Sequence, residues 1–559
     1  MNDRLRFAQV LVRRRLNETS RLNSLPTEIL TSIFLFVRDC NNRPLDRGEL
    51  TLHHIEPEPD TRSLLVATHL CHRLRAIALA FPPLWSTVPH SVHRKFVLTL
   101  VERSGCHRLR VFGDRSGLFR SSGTPVCQAP HHARIEELYL AQRPLDVSNF
   151  RLLAAVADHL VYLNVIVAPN YEYPHWIRSV IPRPYFRTRT PKALRALAFS
   201  LKAGLYPVDH FVTLAHIRIC GTDIQFKARD LLRLLANTPV LETLYLVDTP
   251  LRTLDHDWER NNPVPTVQLN HLRALSFDNT GLEVAFAILR HLEFPQDATV
   301  QLHRLQYAPN MDVSGMFLPA LADFTTLEIM EQFPALHMRA HGERGGFWVH
   351  FTTKLSTPIP AFRTLVPIVL QKFLNSLDTM HTMRVGGTTI ALGGHQETRP
   401  DFLEMVLSKV AYLMPNLSTL FVASDGLSGV DLTSCLYNML LPSGVLQDIP
   451  FPALDTLCIP DTLPTAMDEP LLHLLSERAR LGCHIRNLNV RIPREEEEDG
   501  ALSSSGLADY VEELNTRCIT WDPEKDLFWR IDNEYWTLYP EGSRRLMDEV
   551  WGLPLIWRG

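Results

Sequence analysis

A few short stretches carry residue types that could do chemistry. Asp278-Asn279-Thr280-Gly281 holds the carboxylate, hydroxyl and glycine of an aspartic-protease loop. Its order is wrong, and no second copy exists to share a proton, as a carboxylate dyad requires. Gly113-Asp114-Arg115-Ser116-Gly117 places its serine one position late for the strained turn that exposes a nucleophile. Gly386-Gly387 and Gly393-Gly394 bracket Thr388 to Leu392. With no Lys-Ser/Thr pair behind them, they read as turns around a short strand, not as a phosphate cradle. His53-His54 and His131-His132 are adjacent pairs, and adjacent imidazoles need further ligands at metal-site spacing, which the sequence does not supply. Cys40, Cys71, Cys106, Cys127, Cys220, Cys435, Cys458, Cys483 and Cys518 are scattered and form no C-x-x-C pair, so neither a disulfide framework nor a zinc site is signalled. The expectation is a protein that is not an enzyme, with no catalytic residue, no metal and no cofactor.

What the residues do specify is a framework for contacts. Leu22 to Val88 opens with an amphipathic helix in which Leu22, Leu25, Ile29 and Ile33 recur at spacings of three and four, with Leu30, Phe34 and Val37 beside them. That apolar stripe is too wide for a single partner. Pro26 suits a first helical turn, and Glu28 places negative charge near the positive end of the helix dipole. The second half repeats the design: Val66, Leu70, Leu74 and Ile77 make one stripe, flanked by Ala67, Cys71 and Ala78. Pro82 and Pro83 stop that helix, and Leu84-Trp85 forms an apolar lid.

The ordered set Leu25-Pro26-x-Glu28-Ile29-Leu30, Ile33-Phe34, Leu70-Cys71-His72-Arg73-Leu74-Arg75-x-Ile77-Ala78 and Pro83-Leu84-Trp85 resembles an F-box, of the fungal type. Two features depart from that pattern: Leu74 stands where such F-boxes usually carry Trp, and Asp39 to Pro59 is a longer polar spacer. The resemblance implies a substrate-recognition subunit of a cullin-RING (Skp-cullin-F-box) ubiquitin ligase. It implies that Leu25, Pro26, Glu28, Ile29, Leu30, Ile33, Phe34, Leu70 and Cys71 meet a Skp-family adaptor, and through it a cullin. The alternative is a ligase-independent interaction scaffold using the same adaptor.

Hydrophobic residues make 45% of the chain and charged residues 21%, an ordinary globular balance that can bury a large core. The formal net charge of −4 gives no bulk attraction to nucleic acid. No apolar run approaches the ~20 residues a membrane helix needs. Neither nucleic acid nor membrane is therefore an expected partner, and reduced thiols point to cytoplasm or nucleus. Residues 1–21 are basic through Arg4, Arg6, Arg13, Arg14, Arg15 and Arg21. They read as a short leading helix; a mitochondrial transit peptide is the alternative, against which Asp3, Glu18 and the lack of a serine-rich stretch argue.

Beyond the F-box-like stretch a six-residue pattern recurs: apolar, x, x, apolar, x, apolar. Clear copies centre on Leu138, Leu163, Leu197, Leu244, Leu275, Leu420, Leu457 and Leu488, and looser ones on Leu109, Ile217, Leu305, Leu327 and Met383. The last two apolar positions share a face, as a strand requires. The spacing, roughly 20–40 residues, runs from the leucine-rich-repeat period upward. The long gap between Leu327 and Met383 predicts one degenerate copy around Trp348 to Phe351. Helical runs ending in proline, such as Asp230–Leu235 before Pro239 and Phe402–Met414 before Pro415, precede strands. The fold class expected is α+β / α/β: an N-terminal helical F-box followed by a leucine-rich-repeat-like solenoid, a horseshoe of strand-helix units. No asparagine ladder regularises the repeats, and no Gly-x-Gly-x-x-Gly suggests a dinucleotide fold.

The expected domains are a leading helix (1–21), the F-box (22–90), the repeats (91–520) and a tryptophan-rich cap (521–559) that holds Trp521, Trp529, Trp536, Trp551 and Trp557. An interface is the other use of those tryptophans. Glu495 to Asp499 reads as an exposed acidic loop, with a basic partner as the alternative. Within each strand motif, the residue between the last two apolar positions points away from the core. Of these, Arg110, Tyr139, Arg218, Tyr245, Arg384 and Phe421 are the types that dominate interfaces and are the expected target-binding residues.

Overall fold

The computed structural model describes residues 2–40, 65–66, 68–89, 94–113, 131–142, 149–167, 181–186, 190–200, 205–220, 226–247, 249, 251–252, 266–306, 324–332, 335–342, 346–352, 377, 379–388, 400–411, 413–425, 429–442, 449–462, 468–491, 506–515, 531–532 and 537–538. The acidic loop, His53-His54 and the five C-terminal tryptophans lie outside them. The protein is mixed α/β, with mostly parallel strands and no closed barrel among the described residues. It divides into two units, Met1–Leu241 with Asp248–Pro250, and Glu242–Val247 with Leu251–Gly559. That division falls inside the stretch expected to form one repeat domain.

The first unit begins with helices. Basic α1 spans Asn2–Glu18, α2 Thr27–Cys40 and α3 His72–Leu79. The sequence stripe from Val66 to Ile77 predicts one continuous helix, but the chain breaks at Leu70 and α3 starts afresh at His72. Cys71 causes the restart. Its backbone is extended (φ −154°, ψ 167°), and its sulfur accepts from the Leu74 N–H, satisfying one orphan donor of the new helix. The Cys71 thiol lies 3.4 Å from Asn23 Oδ1, as donor to it.

A 3-10 turn at Pro82–Trp85 closes this layer. Leu30, Phe34, Leu74, Ala78, Leu84, Trp85 and Leu100 form one buried cluster. Trp85 donates from Nε1 to the Ala78 carbonyl at 2.8 Å, and the Arg103 guanidinium sits 4.7 Å over its ring. Arg38 and Arg73 donate to the carbonyls of Pro83 and Leu25 and so tie loop ends to helices.

Strands β1 (Thr87–Val88), β2 (Leu109–Gly113), β3 (Ile135–Gln142), β4 (Tyr162–Val167), β5 (Ala196–Ser200) and β6 (His216–Cys220) follow, each parallel to the next. Helices α4 (Arg94–Arg103), α5 (Asn149–Val156) and α6 (Ala228–Ala236) belong to the same unit. Leu138, Leu163, Leu197 and Ile217 stand in one register row and are fully buried, as the motif predicts. The first copy is corrected by two residues: Val111, not Leu109, pairs with Leu138, because the register shifts between Leu109 and Arg110. Away from the sheet, buried Asp209 accepts the backbone N–H groups of Tyr185 (2.7 Å) and Phe186 (3.1 Å). Burial holds its carboxyl above the usual range despite those bonds.

In the second unit, β7 (Thr243–Val247), β8 (Ala274–Asp278) and β9 (Thr299–Gln306) run parallel. Leu244 and Leu275 are paired and fully buried. Val300 continues their row, so the expected centre at Leu305 is corrected; a register shift between Leu302 and Leu305 moves Leu305 out of step. The chain then makes β10 (Thr326–Gln332), β11 (Ala335–His341) and β12 (Gly346–Thr352). These pair as an antiparallel meander, but β12 lies beside β9, while β10 lies beside β13 (Thr382–Thr388). The degenerate copy around Trp348 is therefore a real strand, inserted in reverse spatial order.

Parallel strands β14 (Thr419–Asp425), β15 (Thr456–Thr462), β16 (Asn487–Arg491) and β17 (Glu513–Asn515) complete the series, with Leu327, Met383, Leu420, Leu457 and Leu488 in one row. Helices α7 (Leu282–Leu289), α8 (Pro400–Val410), α9 (Gly429–Leu440) and α10 (Asp468–Arg480) alternate with them. Gly386 and Gly387 lie within β13, which corrects the expectation of a turn there.

Candidate functional site

Two surfaces gather the residues singled out by sequence. The first is the outer face of α2. Helical spacing puts Leu30 and Phe34 on one side, where they are buried in the helical cluster. Ile29, Ile33 and Phe36 fall on the adjoining side at spacings of four and three, and remain 48%, 36% and 67% exposed. Pro26 and Glu28 are exposed at the start of the same helix, and Leu25 is partly buried against the cluster. Leu70 is 62% exposed at the break before α3, whereas Cys71 is half-buried and occupied as a cap. The nine expected adaptor residues thus separate into an exposed set (Pro26, Glu28, Ile29, Ile33, Leu70) and a set that builds the support (Leu25, Leu30, Phe34, Cys71). Phe36 is an exposed aromatic that the motif did not single out.

The second surface is the strand face opposite the leucine row. Phe112, Tyr139, Asn164, Ala198 and Arg218 stand in register across β2 to β6. The expectation that Tyr139, Arg218 and Tyr245 meet water is corrected: all three are buried, Tyr245 completely. For Tyr139 the reason is lateral packing. Its ring stacks on Phe112 at 4.3 Å with 5° between planes and meets Tyr162 at 5.0 Å. Arg110 shares this face but sits one row earlier, opposite Glu137, to which it is ion-paired. Glu137 also accepts from the Tyr139 hydroxyl at 3.0 Å.

In the second unit, Trp348, Arg339, Glu328, Arg384 and Phe421 form one register row. Arg384 donates to Glu328 at 2.9 Å and lies 5.0 Å over the Phe421 ring; Arg339 approaches Glu328 at 3.5 Å. Here the strands bring two expected target residues, Arg384 and Phe421, together, and both keep partial exposure.

Sequence reasoning missed the next row of that unit. Asp278 and His303 stand in register across β8 and β9, and His350 and His337 across β12 and β11; the two pairs meet at the register shift of β9 between Leu302 and Leu305. His303 Nδ1 lies 2.9 Å from Asp278 Oδ1. His303 and His350 rings are 4.6 Å apart, and His350 and His337 stack at 4.1 Å with 11° between planes. The signal was the alternation of histidine with apolar residues, visible only once the strands are placed side by side. Parallel stacked imidazoles cannot aim in-plane lone pairs at one ion, so this row does not suit a metal. Asp278 of the protease-like tetrapeptide is thus a partner of His303.

Burial first, and His303 second, lower the His337 pKa to about 3. Because the folded value lies below the unfolded one near 6.5, the contribution to stability is intact at neutral pH. It is lost as pH falls from about 6.5 toward about 3, at up to about 1.4 kcal/mol per pH unit. His337→Phe, which keeps a stacking ring without a proton site, is expected to flatten this acid sensitivity in denaturant titrations between pH 7 and about 4. An unchanged slope would place the acid-sensitive group elsewhere.

The His131-His132 pair forms a 3-10 turn with Arg134, and burial followed by the Arg134 charge lowers the His131 pKa. Burial pushes the Cys435 thiol up to about 12 and raises that of Cys458, which disfavours thiolate chemistry at either. Among the described residues no helix is long and apolar enough to cross a membrane. No protein-family model matches the sequence, and no curated protein matches it.

Proposed function

We propose that the protein is the substrate-recognition subunit of a Skp-cullin-F-box ubiquitin ligase, acting in cytoplasm or nucleus. In this reading the helical stretch 22–90 is an F-box, and the strand-helix units are a leucine-rich-repeat-like solenoid. The observation that carries it is the face of α2 bearing Ile29, Ile33 and Phe36. Exposed apolar side chains gathered on one helix face, rimmed by polar groups, mark an interaction surface. It coincides with the stretch whose motif resembles an F-box. The protein does not catalyse; it raises the effective concentration of a target's lysines near a ubiquitin-loaded enzyme. The strand faces hold the target, with Arg110 as an accessible anchor in the first unit and Arg384 and Phe421 in the second.

The test is affinity purification of the intact chain. A Skp-type adaptor together with a cullin is the expected co-purifying set. Adaptor without cullin would favour the ligase-independent scaffold, and absence of both would overturn the proposal.

A further inference from the structure

Among the buried charged groups, Arg218 on β6 is the one whose surroundings leave a task open. It is 8% exposed, and no hydrogen bond or ion pair engages it among the described residues; its Nε is buried without a partner. Burying a guanidinium unpaired is destabilising, because lost hydration is not replaced. Its register neighbour on β5 is Ala198, and the next, on β4, is Asn164. One row earlier stand His216, Ala196 and Tyr162. Strand β5 thus offers only small side chains between two polar walls. Asn164 donates to the Tyr162 hydroxyl at 3.3 Å, but its Oδ1 is also buried without a donor. The carboxylate on this face, Glu137, lies three strands away on β3 and is held by Arg110 and Tyr139.

We propose that β4, β5 and β6 form a subsite for an anionic group of a bound peptide. Arg218 supplies forked donors to a carboxylate or phosphate, and Asn164 Oδ1 accepts an N–H from the same peptide. Ala196 and Ala198 provide the floor. A guanidinium suits this because its planar fork matches both anions and keeps its charge when buried. The inference rests on the reading of the strand face as target-binding and names the chemistry that one part of it selects.

The test uses the full chain and short labelled degenerate peptide pools that differ only at a central glutamate, phosphoserine, serine or lysine. The glutamate or phosphoserine pool is expected to bind at least about tenfold tighter than the other two. The tighter of the pair identifies carboxylate or phosphate as the source. Arg218→Met should abolish the preference and raise the melting temperature, since an unpaired buried charge is removed. Ala198→Leu should fill the floor and weaken the anionic pools with Arg218 in place. Equal binding of all pools, a preference that survives Arg218→Met, or a melting temperature lowered by that change would overturn the proposal. Adaptor capture measured on the same variants separates the failures. Loss of the subsite with capture intact leaves the receptor reading standing, whereas loss of capture in the unaltered chain strikes that reading and not the peptide preference.

Discussion

Replacing Ile29 and Ile33 together with aspartate is expected to reduce adaptor capture by at least about a hundredfold while leaving the protein folded. Both residues lie on the outer face of α2, where they contribute little to the helical cluster. Two carboxylates there would have to be desolvated, unpaired, at the centre of an apolar contact, at about 1–3 kcal/mol or more each. The comparison variant is Leu30→Ala on the inner face. It should leave the docking face chemically unchanged but lower the stability of the helical layer by about 2–5 kcal/mol, because Leu30 is buried among Phe34, Leu74 and Trp85. Thermal unfolding and adaptor pull-down, read on both variants, separate docking from support. Full capture by the Ile29→Asp, Ile33→Asp variant would remove α2 from the interface and with it the observation on which the proposed function stands.

The two stripes of α2 were both legible in the sequence. Which one faces inward was not, because helical periodicity fixes only that the Ile29–Ile33 stripe lies beside that of Leu30 and Phe34, about 100° around the helix. The same holds for the strands. Alternation assigned the buried leucines wherever a strand runs without interruption, as at Leu163, Leu197, Leu420 and Leu457. Leu305 is buried as alternation expects, but a bulge after Leu302 takes it out of the row that Val300 continues. At Leu109 the slip was by two residues, which keeps the face and changes only the partner, so no alternation pattern could reveal it.

The reversed meander had its signals: Leu336, Met338 and Ala340 alternate with His337, Arg339 and His341, and Gly345-Gly346 marks a turn. Strands joined by so few residues must be antiparallel neighbours. What no local pattern carries is which end of the meander sits beside β9, and that decides whether His303 meets His350. The exposed face of α2 was therefore readable in part from helical spacing, whereas the histidine row and the surroundings of Arg218 depend on pairings between distant strands.

Arg478 is the residue whose loss is expected to cost the second unit most. It lies on α10, fully buried, and donates from Nη1 to the carbonyls of Leu440 (2.8 Å) and Pro450 (3.0 Å) and from Nη2 to that of Phe451 (2.9 Å). Leu440 ends α9, so its carbonyl is one of the helix's orphan acceptors, at the negative end of the dipole. Phe451 holds a left-handed backbone (φ 46°), unusual for a residue with a bulky side chain. The guanidinium therefore pins a helix end and a strained turn at once, and the carbonyl dipoles offset part of its buried charge. Burial still lowers its pKa from the usual arginine value. Arg478→Met keeps most of the volume but leaves those carbonyls without this donor. A loss of about 3–5 kcal/mol is expected, since each abandoned buried acceptor costs about 1–3. Arg478→Lys, with one compact ammonium in place of a fork, should recover only part of it. Hydrogen exchange over residues 429–440 and 468–480 should rise together in both variants, because the arginine joins the end of α9 to α10. Wild-type stability in Arg478→Met would mean that those carbonyls find other donors and that the buried charge has no structural role.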